Sequence, residues 1–272
     1  MIRFLIYTVT NYLLSLKVIS LLTNMVPLPF QGLIGHRGVA GLAPENTLAG
    51  FHLAKKLGLS WVEFDVRPCF SGEWIIFHDE VLNRTTNGNG LVSQSNYSDI
   101  QLLDAGSWFD KSFHQERVPL LSTALTLLQT LGLHPNIEIK PFKKARRKRM
   151  AHFLTQLENH WPSSLPLPLV SSFDLELLRI LRSLSPRLPL GYLVKQLSKT
   201  VIKEASEIPC QSIHCRDLIE NEAFFQEAAR NHLAVFVYTV NTWERADHLL
   251  QQGIHGVFSD LTHPLFVEKL KI

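Results

Sequence analysis

Two carboxylates in an apolar run are the first candidates for chemistry in this sequence. Glu63 and Asp65 lie two residues apart in a run that is typical of a β-strand, so both side chains leave the same face. Burying two carboxylates side by side costs several kcal/mol unless a positive charge lies between them. A hard divalent cation such as Mg²⁺ or Ca²⁺ prefers oxygen ligands and would supply that charge.

A returning strand follows these carboxylates within a few residues. Ser71-Gly72 predicts a tight turn, and residues 74–77 then form the second arm of a hairpin. With a two-residue turn, the pairing places His78 opposite Asp65. The sequence therefore predicts a titratable imidazole beside the metal site.

Polar residues also end other apolar runs. His36 and Arg37 end the first run, and Glu138 and Lys140 share one face of the run 136–140. Cationic side chains suit the non-bridging oxygens of a phosphate, and imidazoles suit general acid and base catalysis. A divalent ion, two imidazoles and two cations around one cavity indicate phosphoryl transfer, whereas a glycosidase has no use for the two cations. The carboxylates could instead form an internal salt-bridge network with Arg37 and Lys140.

The elements that must position these residues alternate along the chain. Nine strand candidates are separated by stretches with helical spacing. Parallel neighbours need a crossover of about a dozen residues, so the arm 74–77 lies outside the parallel set. The eight other strands predict an α/β fold, a (β/α)₈ TIM barrel with its site at the carboxyl ends of the strands. A doubly wound open sheet is the alternative, but no Gly-rich phosphate fingerprint follows the first strand.

The predicted elements have approximate bounds. Besides the hairpin, the strand candidates are residues 33–36, 136–140, 167–172, 188–194, 211–215, 234–240 and 256–259. The predicted helices include residues 47–57, 120–131, 175–184, 221–231 and 243–252. His214 lies within a strand and is assigned a structural role. Glu45 and Asn46 either brace the first loop or touch the substrate.

Six short motifs occur in order along the barrel region. They are His36 to Thr47 (HRGVAGLAPENT), Glu63-Phe64-Asp65 with Phe77-His78-Asp79, residues 104–109 (DAGSWF), 136–141 (NIEIKP), 171–173 (SSF) and 238–241 (YTVN). In this order they resemble the motifs of the glycerophosphodiester phosphodiesterases of the cytosolic bacterial type. The resemblance extends over about residues 32–264. The irregular segment 80–118 resembles the small subdomain that this family inserts after the second strand, which caps the site and helps to choose the alcohol.

The resemblance implies a metal-dependent hydrolase of glycerophosphodiesters. Glycerophosphocholine or glycerophosphoethanolamine would give sn-glycerol 3-phosphate and an alcohol. In the mechanism usually proposed for the family, the neighbouring glycerol hydroxyl attacks phosphorus to form a cyclic phosphate, which water opens. The implied site comprises His36 and His78 as the catalytic pair, Glu63, Asp65 and Glu138 around one divalent cation (Mg²⁺ or Ca²⁺), and Arg37 and Lys140 as phosphate contacts. Phe173 and Tyr238 are candidates to line the pocket and bind substrate, although packing of the barrel would also use them.

The first residues differ from the rest of the chain. Residues 1–24 carry only two charged side chains, Arg3 and Lys17, and the uncharged run 4–16 is shorter than the about 20 apolar residues that span a bilayer. Arg3 ahead of an apolar region resembles a signal peptide, but no small-x-small cleavage site follows. Three interpretations stay open: an over-long gene start with initiation at Met25, an interfacial or plugging helix, and a membrane anchor or signal.

The chain is therefore divided into an apolar leader, residues 1–27, and a barrel, residues 28–272. A net charge of +3 gives no reason to expect nucleic acid as a partner. Three cysteines without zinc-type spacing or a disulfide framework favour a reducing compartment. We expect a cytoplasmic protein, with membrane association through the leader as the alternative. The oligomeric state stays open.

A basic run, residues 143–149, follows Lys140 directly. Such runs are commonly solvated helix faces, yet this one begins on the predicted catalytic side of the barrel. It could steer anionic substrates, or an anionic membrane surface, toward the site. Together with the leader it keeps open a membrane-associated enzyme of lysophospholipase D type beside the soluble phosphodiesterase. A non-catalytic binding protein is disfavoured because no catalytic motif position is lost.

Overall fold

The computed structural model of the protein describes residues 32–198, 200–217, 222–260 and 266. The predicted leader, residues 1–27, lies outside these residues. None of the helices within them is both long and apolar enough to cross a membrane.

Eight parallel strands form a closed barrel. Their order is β1-β9-β8-β7-β6-β5-β4-β2, and a pairing between β1 and β2 closes the ring, while β3 runs antiparallel to β2 outside it. The predicted (β/α)₈ fold is confirmed, and the open doubly wound sheet is wrong because the ring has no open edge. The strands are β1 (Gly32–Gly35), β2 (Trp61–Pro68), β3 (Trp74–Ile76), β4 (His134–Ile139), β5 (Leu169–Ser172), β6 (Leu190–Val194), β7 (Ser212–Arg216), β8 (Ala234–Tyr238) and β9 (Gly256–Ser259).

Helices cover the outside of the barrel, and the largest apolar cluster lies between them and the strands. The third helix shows the pattern: Leu121, Ala124, Leu125 and Leu128 lie on its buried face, and it ends at Gly132, whose φ of 63° suits glycine. The helices are α1 (Leu48–Lys56), α2 (Tyr97–Ile100), α3 (Leu121–Leu131), α4 (Arg146–His160), α5 (Leu175–Leu184), α6 (Val201–Glu207), α7 (Glu222–Arg230) and α8 (Trp243–Gln251).

A second apolar cluster brings together residues from strands β1, β2, β5, β8 and β9. It includes Phe236 and Phe258, whose ring centroids lie 5.2 and 5.1 Å from that of His214. His214 is fully buried, and its Nε2 lies 2.9 Å from the Ser212 hydroxyl. The strands therefore surround a packed interior below the site rather than an open channel.

The hairpin between β2 and β3 differs from its predicted register. Val66 lies opposite Ile76, and the amide of Phe77 donates to the carbonyl of Asp65 at 2.9 Å. Phe77 therefore takes the position predicted for His78, and the prediction that His78 pairs with Asp65 is wrong by one residue.

The cause of this shift is the length of the turn. The amide of Cys69 donates to the carbonyl of Glu73 at 2.9 Å, so the loop holds three residues, 70–72, and not two. Gly72 has a φ of 108°, a conformation that glycine adopts without strain and that lets this longer turn close.

The segment 80–118, predicted as an insertion, leaves the barrel after β3. It contains α2 and two 3₁₀ turns, Val92–Gln94 and Lys111–Phe113. It packs on the hairpin around a small apolar cluster of its own, formed by Cys69, Ile75, Phe77, Leu82, Val92, Ile100, Ala105 and Val118.

Candidate active site

A cavity of about 480 Å³ opens at the carboxyl ends of the strands. Its lining brings together nearly all of the predicted site residues: His36, Arg37, Glu63, His78, Glu138, Lys140, Phe173 and Tyr238. Asp65, the remaining one, is buried beside Glu63 and Glu138.

The acidic residues come from the neighbouring strands β2 and β4. Asp65 pairs directly with Glu138 in the parallel register, and Glu63 lies two residues earlier on the same face. One carboxylate oxygen from each of Glu63, Asp65 and Glu138 lies within 4.8 Å of the others, and all three side chains are buried. The predicted oxygen cage is therefore present.

The surrounding side chains do not supply enough positive charge to stabilise all three of these carboxylates in the ionised form. Glu63 Oε1 has no hydrogen-bond partner among the described residues. Burial, together with the charge of Asp65, raises the pKa of Glu63 to about 8, and the same two causes raise the pKa of Glu138. A buried, unpaired oxygen in a cluster of hard oxygen donors is what a divalent cation would complete, so these residues fit a metal.

Two cations flank the carboxylates. Lys140 Nζ lies 2.8 Å from Asp65 Oδ1 and also pairs with Glu138, while Arg37 Nε lies 3.4 Å from Asp65 Oδ2. Burial opposes the ionisation of Asp65, but the charges of Lys140 and Arg37 hold its pKa well below the usual range. The salt-bridge network that the sequence left open thus exists, but it leaves Glu63 Oε1 without a partner.

Each of the two catalytic histidine candidates is hydrogen-bonded to a carboxylate through its Nδ1 atom. The Nδ1 atom of His36 lies 2.6 Å from Asp260 Oδ1, and that of His78 lies 2.6 Å from Asp79 Oδ1. Because an ionised carboxylate can only accept, these contacts assign the proton to Nδ1 and leave Nε2 free to exchange a proton. His36 Nε2 lies 3.9 Å from Glu63, at the edge of the acidic group.

The two imidazoles have different environments. Burial disfavours the charged form of His36, but the hydrogen bond that its Nδ1 donates to Asp260 and the charge of Glu63 raise its pKa overall. Burial lowers the pKa of His78, and the charges of Lys140 and Arg37 act in the same direction. One histidine therefore favours its protonated form more than the other, as an acid and base pair requires.

Several supporting residues were not identified from the sequence. Asp260 follows β9 directly, so the strand-end position that indicated His36 would also have indicated Asp260. Asp79 is adjacent to His78 in the chain. Arg84 gave no such signal because it lies in an irregular segment, yet it donates to both Glu45 and Asp79 at 2.6–3.0 Å.

The first loop braces the site. Asn46 Nδ2 donates to Asp65 Oδ2 at 2.8 Å, and its Oδ1 accepts from the Asp65 amide at 3.1 Å. Glu45 accepts from Arg37 at 2.8 Å as well as from Arg84. Both residues thus contact site side chains, which agrees with the bracing interpretation.

Aromatic and cationic side chains form another part of the cavity lining, beside the acidic group and the histidines. The rings of Phe173 and Tyr238 meet edge to face with centroids 6.1 Å apart, and Lys195 Nζ lies 5.8 Å from the Phe173 centroid. Arg216 and Asp217 also line this part of the cavity. Arg245 neutralises Asp217 at 2.9 Å, whereas Arg216 has no ion pair among the described residues.

The family comparison matches residues 36–263 to the glycerophosphoryl diester phosphodiesterase family. The chain belongs to this family. Its relatives include glycerophosphodiester phosphodiesterases of Bacillus subtilis (29% identical, 96% of each chain covered) and of Caldanaerobacter subterraneus (28% identical, 84% of this chain and 93% of the relative covered). The predicted family is confirmed, and the protein is a phosphoric diester hydrolase.

A solved structure has the same fold as this phosphodiesterase. An Oleispira antarctica phosphodiesterase, in complex with the product sn-glycerol-3-phosphate, superimposes with a TM-score of 0.84 at 33% identity. The match covers 89% of this chain and 97% of that one.

Proposed function

We propose that this enzyme hydrolyses glycerophosphodiesters, such as glycerophosphocholine and glycerophosphoethanolamine, to sn-glycerol 3-phosphate and an alcohol. One observation supports this proposal most strongly: a single cavity brings together a buried acidic group, two cations and two histidines, each of which is hydrogen-bonded to a carboxylate. The cavity volume of about 480 Å³ lies in the range of small-molecule sites. The product complex of the Oleispira enzyme supports the same product here.

Glu63, Asp65 and Glu138 would hold one divalent cation, Mg²⁺ or Ca²⁺. The unpaired Glu63 Oε1 and the raised pKa of Glu63 and Glu138 support this assignment, because a cation would stabilise the ionised carboxylates. When bound, such an ion would neutralise developing charge on oxygen and favour ionisation of a hydroxyl group.

The other steps, phosphate binding, proton transfer and binding of the organic group, would be performed by side chains of the protein. Arg37 and Lys140 would bind the non-bridging oxygens of the phosphodiester. His36 and His78 would exchange protons through Nε2 with the attacking oxygen and with the oxygen of the leaving alcohol. Phe173 and Tyr238 would pack against the organic part of the substrate.

The test is the release of glycerol 3-phosphate from glycerophosphocholine by the purified protein in EDTA, Mg²⁺ or Ca²⁺. We expect release only with a divalent ion, and a loss of about 100- to 10,000-fold in His36→Ala, because that variant lacks a proton-transfer group. His52→Ala, which removes an exposed histidine on α1, is the matched control.

Two outcomes would contradict this function. Full turnover in EDTA would exclude the metal assignment. No turnover with any ion, combined with release of choline from lysophosphatidylcholine in vesicles, would favour the lysophospholipase D activity instead.

A further inference from the structure

We propose that this enzyme docks on anionic lipid bilayers through a surface at the same end of the barrel as its cavity. The surface, called the docking patch below, consists of the hairpin loop 69–73 and the basic segment 143–149. It is separate from the residues that would bind substrate, and the inference does not depend on which glycerophosphodiester is cleaved.

The docking patch lies on the same side of the barrel as the cavity. The hairpin loop continues β2 beyond Asp65 and leads back to His78, and the basic segment begins three residues after Lys140 at the end of β4. Strands β2 and β4 are neighbours in the barrel, so both parts extend from adjacent strand ends.

The two parts of the docking patch touch each other. The Arg149 guanidinium donates to the carbonyl of Cys69 at 3.3 Å, which joins the first turn of α4 to the hairpin loop. Phe70, the next residue, is 62% exposed at the tip of this loop. An aromatic side chain therefore projects into solvent beside the start of the basic helix.

Positive charge in the docking patch is only partly neutralised by the protein. The patch contains six basic residues and one carboxylate, that of Glu73, which accepts from the Cys69 thiol at 3.2 Å. Arg146 pairs with Asp174 and Glu176 on the α5 side. Lys143, Lys144 and Lys148 are exposed and make no ion pair among the described residues. These three ammonium groups are available to a partner outside the chain.

An anionic bilayer matches both properties of the docking patch. Lysine side chains near such a surface each strengthen binding about fivefold, and an exposed aromatic ring can enter the boundary between headgroups and acyl chains. A soluble anion would use the charge but would gain nothing from Phe70. Binding of this kind would turn the end of the barrel that holds the cavity toward the membrane surface.

Co-sedimentation of the full chain with phosphatidylcholine vesicles, with or without phosphatidylglycerol, tests the proposal. We expect salt-sensitive binding to the phosphatidylglycerol vesicles. The double variant Lys144→Gln/Lys148→Gln should lower the partition coefficient at least about tenfold, because it removes two charges from the docking patch. Phe70→Ser should also weaken binding.

The matched control is Lys55→Gln/Lys56→Gln, which removes two exposed lysines from the C-terminal end of α1, on the opposite side of the barrel. This variant should bind as the wild type does. Equal binding by the control, the Lys144/Lys148 double variant and Phe70→Ser would overturn the docking patch and assign any binding to other parts of the chain.

Turnover of soluble glycerophosphocholine by each variant separates this proposal from the proposed function. Retained turnover with unchanged vesicle binding would refute only the docking patch. Absent turnover in the wild type, together with patch-dependent vesicle binding, would refute only the substrate assignment.

Discussion

The carboxylate of Asp260 lies 2.6 Å from Nδ1 of His36, although 224 positions separate the two residues in the chain. Each follows a strand end, and the pairing of β1 with β9 places Gly35 opposite Ser259. Asn241 donates to the second oxygen of Asp260 at 2.9 Å, so the carboxylate itself is fixed. Closure of the barrel therefore orients the histidine.

Asp260→Asn should lower kcat at least about tenfold while KM changes little. The carboxylate contacts His36 rather than the cavity, so its loss should disturb proton transfer without removing a substrate contact. Steady-state kinetics with glycerophosphocholine give the two constants separately. Glu244→Gln, an exposed acid on α8, is the charge-matched control. An unchanged kcat in Asp260→Asn would show that the contact has no role in turnover.

Arg84→Gln should reduce kcat/KM about tenfold or more. Arg84 donates to both Glu45 and Asp79, which in turn contact Arg37 and His78. Its planar guanidinium bridges two carboxylates, so lysine should restore activity poorly. The loss should therefore affect both substrate binding and turnover.

The control for this prediction comes from the same inserted segment. Arg117 is exposed, and its side chain donates to the backbone carbonyls of His114 and Glu116. If kcat/KM fell equally in Arg117→Gln and Arg84→Gln, the loss would reflect the general charge of the segment and not the bridge that Arg84 forms between Glu45 and Asp79.

Much of the fold could be predicted because strand spacing and crossover length are local properties of the sequence. The eight strands and five of the helices follow from short stretches, whereas α4 and α6 were given no bounds. The hairpin register could not be predicted, because a single extra loop residue, allowed by the positive φ of Gly72, moves every pair by one position.

The candidate site could be predicted where its residues lie at or next to strand ends, as His36 and Glu138 do, and where two carboxylates share one face of a strand, as Glu63 and Asp65 do within β2. The partners that hold them were harder to identify because they depend on contacts between distant segments. Asp260 meets His36 only when the ring closes, and Arg84 reaches Glu45 only when the inserted segment folds over the first loop.

Arg216→Glu should change the enzyme's preference between substrates that differ in their alcohol group. Arg216 lines the cavity near Tyr238 without an ion pair among the described residues, and Lys195 adds positive charge beside Phe173. Reversing the charge should raise kcat/KM for glycerophosphocholine relative to glycerophosphoglycerol about fivefold, which corresponds to roughly 1 kcal/mol. Competition assays with the two substrates measure this ratio.

Arg187→Glu is the control for the alcohol preference. Arg187 is exposed just before β6 begins, at the amino end of the barrel and away from the cavity. The ratio of kcat/KM for glycerophosphocholine to that for glycerophosphoglycerol should be the same in this variant as in the wild type. An unchanged ratio in Arg216→Glu would place the alcohol elsewhere in the cavity.

The buried His214 should make the protein sensitive to acid. Burial lowers the pKa of His214 to about 3 in the folded state, whereas an unfolded histidine has a pKa of about 6.5. The folded state therefore binds fewer protons, and this contribution to stability is present above pH 6.5 and is lost as the pH falls. Between pH 7 and pH 5 the free energy of unfolding should decrease by about 2 kcal/mol from this group alone.

Urea unfolding of the wild type and His214→Gln at both pH values isolates this contribution. The variant lacks the titrating group, so its free energy of unfolding should decrease by about 2 kcal/mol less than that of the wild type over the same interval. His52→Gln, which removes an exposed histidine, should follow the wild type. If His214→Gln lost as much stability on acidification as the wild type does, His214 would not be the group whose protonation opposes folding.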